Sequence, residues 1–582
     1  VKHSTDSDVK TIKCILASFM GCWALQKISG ITVRNPLTVV FFVLLLYLSI
    51  IQDKQRALGN WISVALSATT TLLFRNRITA AFDNRLFQIL SLAIVFVGLC
   101  CVFYICFGFP ITIIRGEKRT NAGREIQKLF LNTKPAFGGT RAVLIIAAIC
   151  FLFWLPYFLY EYPGIMTADS LVQYAQFAGD EPVSNHHPII HTLLIKLFHD
   201  IAMGITGNPQ IGIACYTLFQ MIFMAVCCGI LICHIRSRKL QIIALLFYAL
   251  VPFNAVFMVT VWKDIICAGL TMLLLCCVID LRQRQELSIR LWVHFVILSI
   301  LFSLFRSNAW YAFLAWVPFL LIAVRKNIKR AVCSVAIIIL VVVALKGPVM
   351  TSAGVAQPDL VESLSVPVQQ IARMMVDDRK LDEEDLKLIE EVIDTTYIRE
   401  LYAADFADNI KELVRAGHPE KIEENKFEYF KLWFRINAEN PGTSVRAWYD
   451  LNGGYINPDV SIKVGEIDGI MNNEFGLFWD PKIGGKLVVK GKEIALKLGD
   501  FVPLYGMLWS IGTYTWLLII ATGVCIYKKR PILGKVLLLF QVGTLLIAAP
   551  VVDFRYGYGI VMTMPLWLLY NWGKETEYAT AD

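Results

Sequence analysis

Apolar residues run through this chain in stretches of ~16–25 residues broken by short polar turns, long enough to cross a hydrocarbon core of ~30 Å as helices. Fourteen such stretches lie near 12–29, 36–51, 60–74, 86–110, 142–160, 210–234, 240–259, 264–280, 290–306, 309–324, 331–346, 503–527, 532–550 and 555–572. The pattern predicts an all-α polytopic membrane protein with about 14 transmembrane helices. A further apolar run, Pro188–Ile205, carries His191, Lys196, His199 and Asp200. Crossing the bilayer there would invert every later basic cluster, so it reads as an amphipathic helix lying on the membrane surface.

The pattern changes between 347 and 502. That segment holds 28 Asp/Glu and 18 Lys/Arg, near −10, while the rest of the chain is near +19. Two helices are legible inside it. Leu381–Ile393 opens with Asp382, Glu383 and Glu384, which favour a helix N-terminus. Phe427–Ala438 carries aromatic residues at 427, 429, 430, 433 and 434. Turn residues follow at Pro441-Gly442, Gly453-Gly454 and Gly484-Gly485. The chain thus divides into an N-terminal membrane module with a basic loop (1–141), a membrane core with its first outer loop at 161–209 (142–346), a mostly helical extracytoplasmic domain (347–502) and C-terminal membrane helices (503–582).

Composition narrows the class. Of 582 residues, 56% are hydrophobic and 17% charged, against about 25% charged in soluble proteins. This excludes a soluble enzyme, a disordered scaffold and a disulfide-stapled secreted domain. The fifteen Cys contain no CxxC spacing, so no zinc ribbon is signalled. The net charge of +9 belongs to basic loops rather than to nucleic-acid binding.

Lys and Arg collect at Arg115–Arg141, Arg236–Lys239, Arg282–Arg284, Arg325–Arg330 and Lys528–Arg530. All five clusters share one side if the spans alternate, and that side is the cytoplasm. Both termini are expected there, and no cleavable signal peptide is evident. Arg75, Arg77 and Arg85 fall on the opposite side, against the rule.

The opposite side gathers the candidate chemistry. Asp169 follows Pro163-Gly164; Asn185, His186, His187 and Pro188 precede His191; Lys263-Asp264 forms a short turn; Arg306 and Asn308 lie in the next; Asp553, Arg555 and Tyr556 lie in the last. Ionisable groups beside spans are costly and mark functional sites. Lys263, Arg306 and Arg555 are the residue types that hold phosphate. Asp169 could take a proton from an acceptor hydroxyl or hold a divalent metal ion as cofactor. Plainer roles stand beside these. Asp169 could cap the helix that follows, Lys263 and Asp264 could be a solvated pair, and Arg306 or Arg555 could snorkel to outer head groups or pair with Asp264 or Asp553. His187 and His191 are spaced to share a helix face, as zinc ligands do, but lack a HExxH glutamate. Trp262, Trp310 and Trp509 read as interface anchors.

The strings Pro163-Gly164…Asp169-Ser170…Gln173, Asn185-His186-His187-Pro188, Trp262-Lys263-Asp264, Arg306-Ser307-Asn308, Ser365-Val366-Pro367-Val368-Gln369-Gln370 and Asp553-Phe554-Arg555-Tyr556 resemble those of a bacterial family of multi-span proteins similar to the GT-C superfamily of membrane glycosyltransferases. The likeness covers roughly 142–572. It implies a GT-C-like fold in a bacterial cell membrane, with the active site on the outer face. The implied donor is a polyprenyl-phosphate-linked sugar and the implied acceptor a surface glycan or glycolipid. Asp169 would be base or metal ligand, and Lys263, Arg306 and Arg555 would hold the lipid phosphate. His186, His187, His191, Asn308, Gln369 and Tyr556 would line the substrate or metal site. The paired acids of protein mannosyltransferases are absent, because Ala168 and Ser170 flank Asp169. Trp448-Tyr449-Asp450 only faintly echoes the acceptor motif of oligosaccharyltransferases, so a peptide acceptor is unsupported.

Two other classes compete with a glycosyltransferase. A transporter or lipid flippase would carry paired charges at mid-bilayer, whereas the charges here sit at span ends. A non-catalytic envelope assembly factor would use its outer domain to bind partners.

Overall fold

The computed structural model describes residues 2–51, 57–114, 135–283, 288–462, 464 and 468–569. Among these the architecture is all-α, with isolated β-bridges and no strand. A helix occupies each of the fourteen apolar stretches. By length and composition six helices can cross a membrane, or seven if one bent pair counts as a single span. A count of about 14 spans is therefore not established. The six include Ile189–Thr206, the run that the charge pattern keeps out of the bilayer.

Helices α1 (Lys2–Ser29), α2 (Leu37–Ile51), α3 (Ala57–Leu73) and α4 (Arg85–Ile114) pack on one another as an N-terminal module. Within the Arg75, Arg77 and Arg85 cluster, Arg77 has a local partner. Arg77 donates to the Ile28 carbonyl at 2.9 Å, satisfying a free carbonyl at the end of α1. The module meets the rest of the chain through its turns and through Lys27 at the end of α1, whose ammonium lies 5.9 Å from the Phe501 ring centre. Thr513 donates to the Arg34 carbonyl (2.7 Å) and Phe82 meets Phe501 (ring centroids 4.9 Å apart).

The core bundle follows with α5 (Gly139–Tyr160), α6 (Ala168–Ala178), α7 (Ile189–Thr206), α8 (Pro209–His234), α9 (Arg238–Leu250), α10 (Pro252–Met258), α11 (Lys263–Gln283), α12 (Ile289–Phe305), α13 (Ser307–Ala323) and α14 (Ile328–Ala344). The chain bends by 59° between α9 and α10, because Pro252 cannot donate to the preceding turn. Asn254 repairs the loss: its amide donates to the Phe247 carbonyl (2.8 Å) while its carbonyl accepts from the Tyr558 hydroxyl (2.9 Å). In apolar surroundings such a break needs this internal compensation.

Helix α7 packs against the first turns of α8, with Phe198 on Tyr216 and Phe219 and with His199 against Gly212. Its exposed residues Leu193, Leu197, Ile201 and Ile205 recur every fourth position as one apolar stripe.

Residues 347–502 are only partly one body. Helices α15 (Ser365–Val376), α16 (Glu383–Val392), α17 (Asp408–Ala416) and α18 (Lys426–Glu439) share an apolar core that includes Val368, Ile389, Ile410 and Ile436. Helix α19 (Pro441–Asn452) ties this group to the membrane core, through Trp448 Nε1 donating to the Leu546 carbonyl at 2.7 Å. Downstream, the chain crosses the end of the bundle and forms α20 (Lys486–Phe501), which lies against Tyr160 and Trp509. The C-terminal helices are α21 (Ile511–Tyr527), α22 (Leu533–Ala548) and α23 (Tyr558–Leu569). Two of them start later than the apolar pattern predicts. Leu504 at φ 66° and a 3-10 turn precede α21, and a second 3-10 turn, Phe554–Gly557, precedes α23.

Candidate functional site

Three backbone segments run side by side at one end of the bundle and aim the site. The Ile165 amide donates to Val259 O (2.8 Å) and Val261 N to Ile165 O (2.9 Å); Met166 N donates to Gly469 O (3.1 Å) and Met471 N to Met166 O (3.0 Å). Gln220, fully buried, donates to the Met258 and Thr260 carbonyls at 2.9 and 2.8 Å. Gly164 sits at φ +146°, and a Cβ there would lie 2.5 Å from Thr217 Oγ1, so only glycine fits.

These contacts fix the start of α6. Ser170 Oγ accepts from the Thr167 amide at 2.9 Å and Trp262 Nε1 donates to Thr167 Oγ1 at 2.8 Å. Capping is thus done by Thr167 and Ser170, and Asp169 is left for other work. Its Oδ2 accepts from Arg555 Nη1 at 2.8 Å and from Lys263 Nζ at 3.5 Å. Lys263 also donates to His187 Nδ1 at 2.7 Å. Arg555 Nε donates to Asp553 Oδ2 at 2.8 Å, and its guanidinium lies 4.7 Å from the Trp262 ring centre and 5.1 Å from that of Tyr556. Arg306 stacks on the same Tyr556 ring at 4.5 Å and is bonded to Asp264. Both stacks are within cation–π range.

The site therefore joins Asp169, Lys263, Arg306 and Arg555, as the sequence predicts, along with His187 and Tyr556. It does not leave the cations free. Asp169, Asp264 and Asp553 balance them one for one, so the plain pairings of Arg306 with Asp264 and Arg555 with Asp553 exist as well. A phosphate would have to exchange with these partners. Burial alone would raise the Asp169 carboxyl, but Lys263 and then Arg555 hold it well below the usual carboxylate range. Burial, reinforced by Lys263, lowers His187 to about 3. The imidazole is neutral at physiological pH and offers its lone pair to the lysine.

A small pocket of about 30 Å³ opens beside Arg306 and Arg555, between α11, α13, α22 and α23. Its polar lining comes from Asp264, Arg306, Asn308, Gln541, Arg555 and Tyr556, with Thr271 and Thr544. Asp264 Oδ2 and Gln541 Oε1 are buried without a hydrogen-bond partner, so two free acceptors stand beside the two guanidinium groups.

Three expected site residues lie elsewhere. His191 is completely buried, with Nδ1 on Gln173 Oε1 (2.9 Å) and Nε2 on the Tyr216 hydroxyl (2.7 Å). Both ring nitrogens are spent, so a zinc pair with His187 is corrected to a core histidine. His186 is exposed and lies 3.8 Å from Glu362, joining the first loop to the helical domain. Gln369 is buried in α15 and donates to the Ala403 carbonyl. It supports the strand-like segment whose Ala407 amide donates to Pro550 O at 2.9 Å, just ahead of Asp553. Among the described residues no three His, Cys, Asp or Glu side chains converge as metal ligands do. The donor set around Asp169 does not fit a divalent ion, because its Oδ2 faces two cationic nitrogens.

Sequence reasoning missed two contributors. Trp262 reads as an interface anchor but forms the floor under Arg555. Tyr455, fully buried, donates to Val551 O (2.8 Å) and accepts from the Asp553 amide (3.2 Å). Only the chain fold could reveal either.

The helices and this cluster define an all-α membrane protein with a half-buried, charge-balanced site at one end of its bundle. The chain belongs to a family described as being of unknown function (DUF6020), whose model matches residues 178–582. Every site residue except Asp169 lies inside that match. No curated protein and no solved structure matches the chain.

Proposed function

We propose that the protein is a glycosyltransferase that moves a sugar from a polyprenyl-phosphate-linked donor to a cell-surface glycan or glycolipid, with the site on the outer face of a bacterial cell membrane. The observation that carries this reading is the meeting of the Asp169 carboxylate with Lys263 and Arg555, drawn from three distant segments, at the end of apolar helices. A lipid phosphate has its charge at that depth and its tail in the bilayer. In the step envisaged, the bond from the anomeric carbon to the phosphate oxygen breaks and the acceptor oxygen bonds to that carbon. The acceptor proton passes to Asp169, and the leaving phosphate keeps the electron pair beside the cations.

The electrostatics impose an order. With Lys263 and Arg555 bound to it, Asp169 is too weak a base to take a proton. A phosphate that draws those cations away raises the carboxyl toward its ordinary value, so the base is armed only when donor is present.

The test is transfer of labelled sugar from polyprenyl phosphate by purified full-length protein. Asp169→Asn should lower the rate by about 10²–10⁴-fold, the usual worth of a general base, with normal yield of folded protein. Unchanged transfer would remove Asp169 from the chemistry.

A further inference from the structure

Helix α20 was not legible in the sequence, and its three faces have different chemistry. Val488, Lys492, Ala495 and Gly499 recur at helical spacing and are buried. They rest on the end of the bundle, where Gly485 meets Tyr160 and Gly499 meets Trp509. A second stripe is apolar and open: Leu487 is 88% exposed, with Ile494 and Leu498 at 49% and 44%. A third carries Lys486, Lys490 and Lys497, with Glu493 at its edge, all exposed. At 100° per residue the lysines point directly away from the buried face and the apolar stripe lies between the two.

The position of α20 says what covers it. Tyr160 ends a helix long and apolar enough to span a membrane, and Trp509 directly precedes α21. A helix resting on both lies at the level where the apolar helices end. The α5 helix that ends at Tyr160 itself exposes apolar side chains, Leu152 and Phe153 among them. Lysines on the polar side of an in-plane helix are the feature that binds anionic lipid. Their sign opposes that of segment 347–502 as a whole, which is acidic.

We infer that α20 is an in-plane lipid-binding helix, with Leu487, Ile494 and Leu498 in the acyl boundary and Lys486, Lys490 and Lys497 among anionic phospholipid head groups. Its buried Lys492 carries that anchorage inward. Lys492 is bonded to Asp468 and lies 3.7 Å from Glu161, whose Oε2 accepts from the Gly469 amide at 2.8 Å. Gly469 in turn holds Met166, three residues before Asp169. The inference needs only the membrane character of the chain and is independent of the proposed transfer.

The test places a benzophenone amino acid at Leu487 in the full-length protein, reconstituted into vesicles of phosphatidylcholine with or without phosphatidylglycerol. A second variant carries it at Leu340, 71% exposed on α14, as a lipid-facing control. The expected result is lipid adducts at both positions, with phosphatidylglycerol enriched at Leu487 on the order of fivefold over its bulk share, the attraction of about one lysine. The triple substitution Lys486→Gln, Lys490→Gln, Lys497→Gln should return that ratio to bulk. Adducts at Leu340 without any at Leu487 would overturn the in-plane placement. Adducts at Leu487 in the bulk lipid ratio would overturn the head-group recognition.

Discussion

Two ion-pair clusters in this protein use the same residue types for different ends. In the helical domain Arg415 meets Asp359 at 2.8 Å and Lys411 meets Glu362 at 2.8 Å. Two partners of Arg415 are open to water, Glu412 at 68% and Asp359 at 46%, and Arg415 itself is partly open; Lys411 alone is buried. Such pairs gain little, because water and salt screen them. At the end of the bundle Asp264 is 1% exposed and Arg306 15%, and six charges come from four separate segments. Collecting desolvated charges from segments so far apart costs stability. The first cluster lies on a domain that has its own apolar core; the second is the one for which a ligand is proposed.

The largest effect that could break this contrast is at Asp264. Asp264→Ala leaves Arg306 buried and unpaired and should cost about 3–5 kcal/mol, read as thermal unfolding of the purified protein. Loss of less than about 1 kcal/mol would place Arg306 in water and dissolve the distinction.

Glu161 comes next. Burial, reinforced by its hydrogen bond with Asp468, raises its carboxyl to about 8. Because the folded value lies above the ordinary 4.5, its contribution is fully present below about pH 4.5 and lost as pH rises through about 8. Glu161→Ala, which orphans the Gly469 amide, should cost about 1–3 kcal/mol at pH 5. Glu161→Gln should cost little there and should flatten the wild-type decline between pH 5 and 9. Parallel wild-type and Gln curves would mean that Glu161 does not titrate in this window.

The smallest effect is expected at Arg415. Arg415→Gln should change stability by about 1 kcal/mol or less and leave sugar transfer untouched. A larger loss would make the domain network structural after all.

The contrast also explains what the sequence could convey. Lys263, Arg306 and Arg555 stand out because charges beside apolar runs are rare, and the helices at 383–392 and 426–439 were legible from their charge and aromatic patterns. Partners were not legible. Nothing local says that Asp169 meets Arg555 rather than capping α6, or that Trp262 lies under a guanidinium. His191 misled because its spacing from His187 mimics a ligand pair, while Gln173 and Tyr216 reach it only in the fold. Helix α20 escaped notice because Lys492 interrupts its apolar face and finds its acidic partners only in three dimensions.

The central claim is that the Asp169 cluster exists to exchange its internal partners for a lipid phosphate. Equilibrium binding of a fluorescent polyprenyl phosphate to the purified full-length protein tests it most directly. Arg555→Gln should weaken binding by roughly 10- to 100-fold, the worth of a charge-assisted hydrogen bond, while Arg415→Gln binds as the wild type does. Equal affinity in all three proteins would contradict the account.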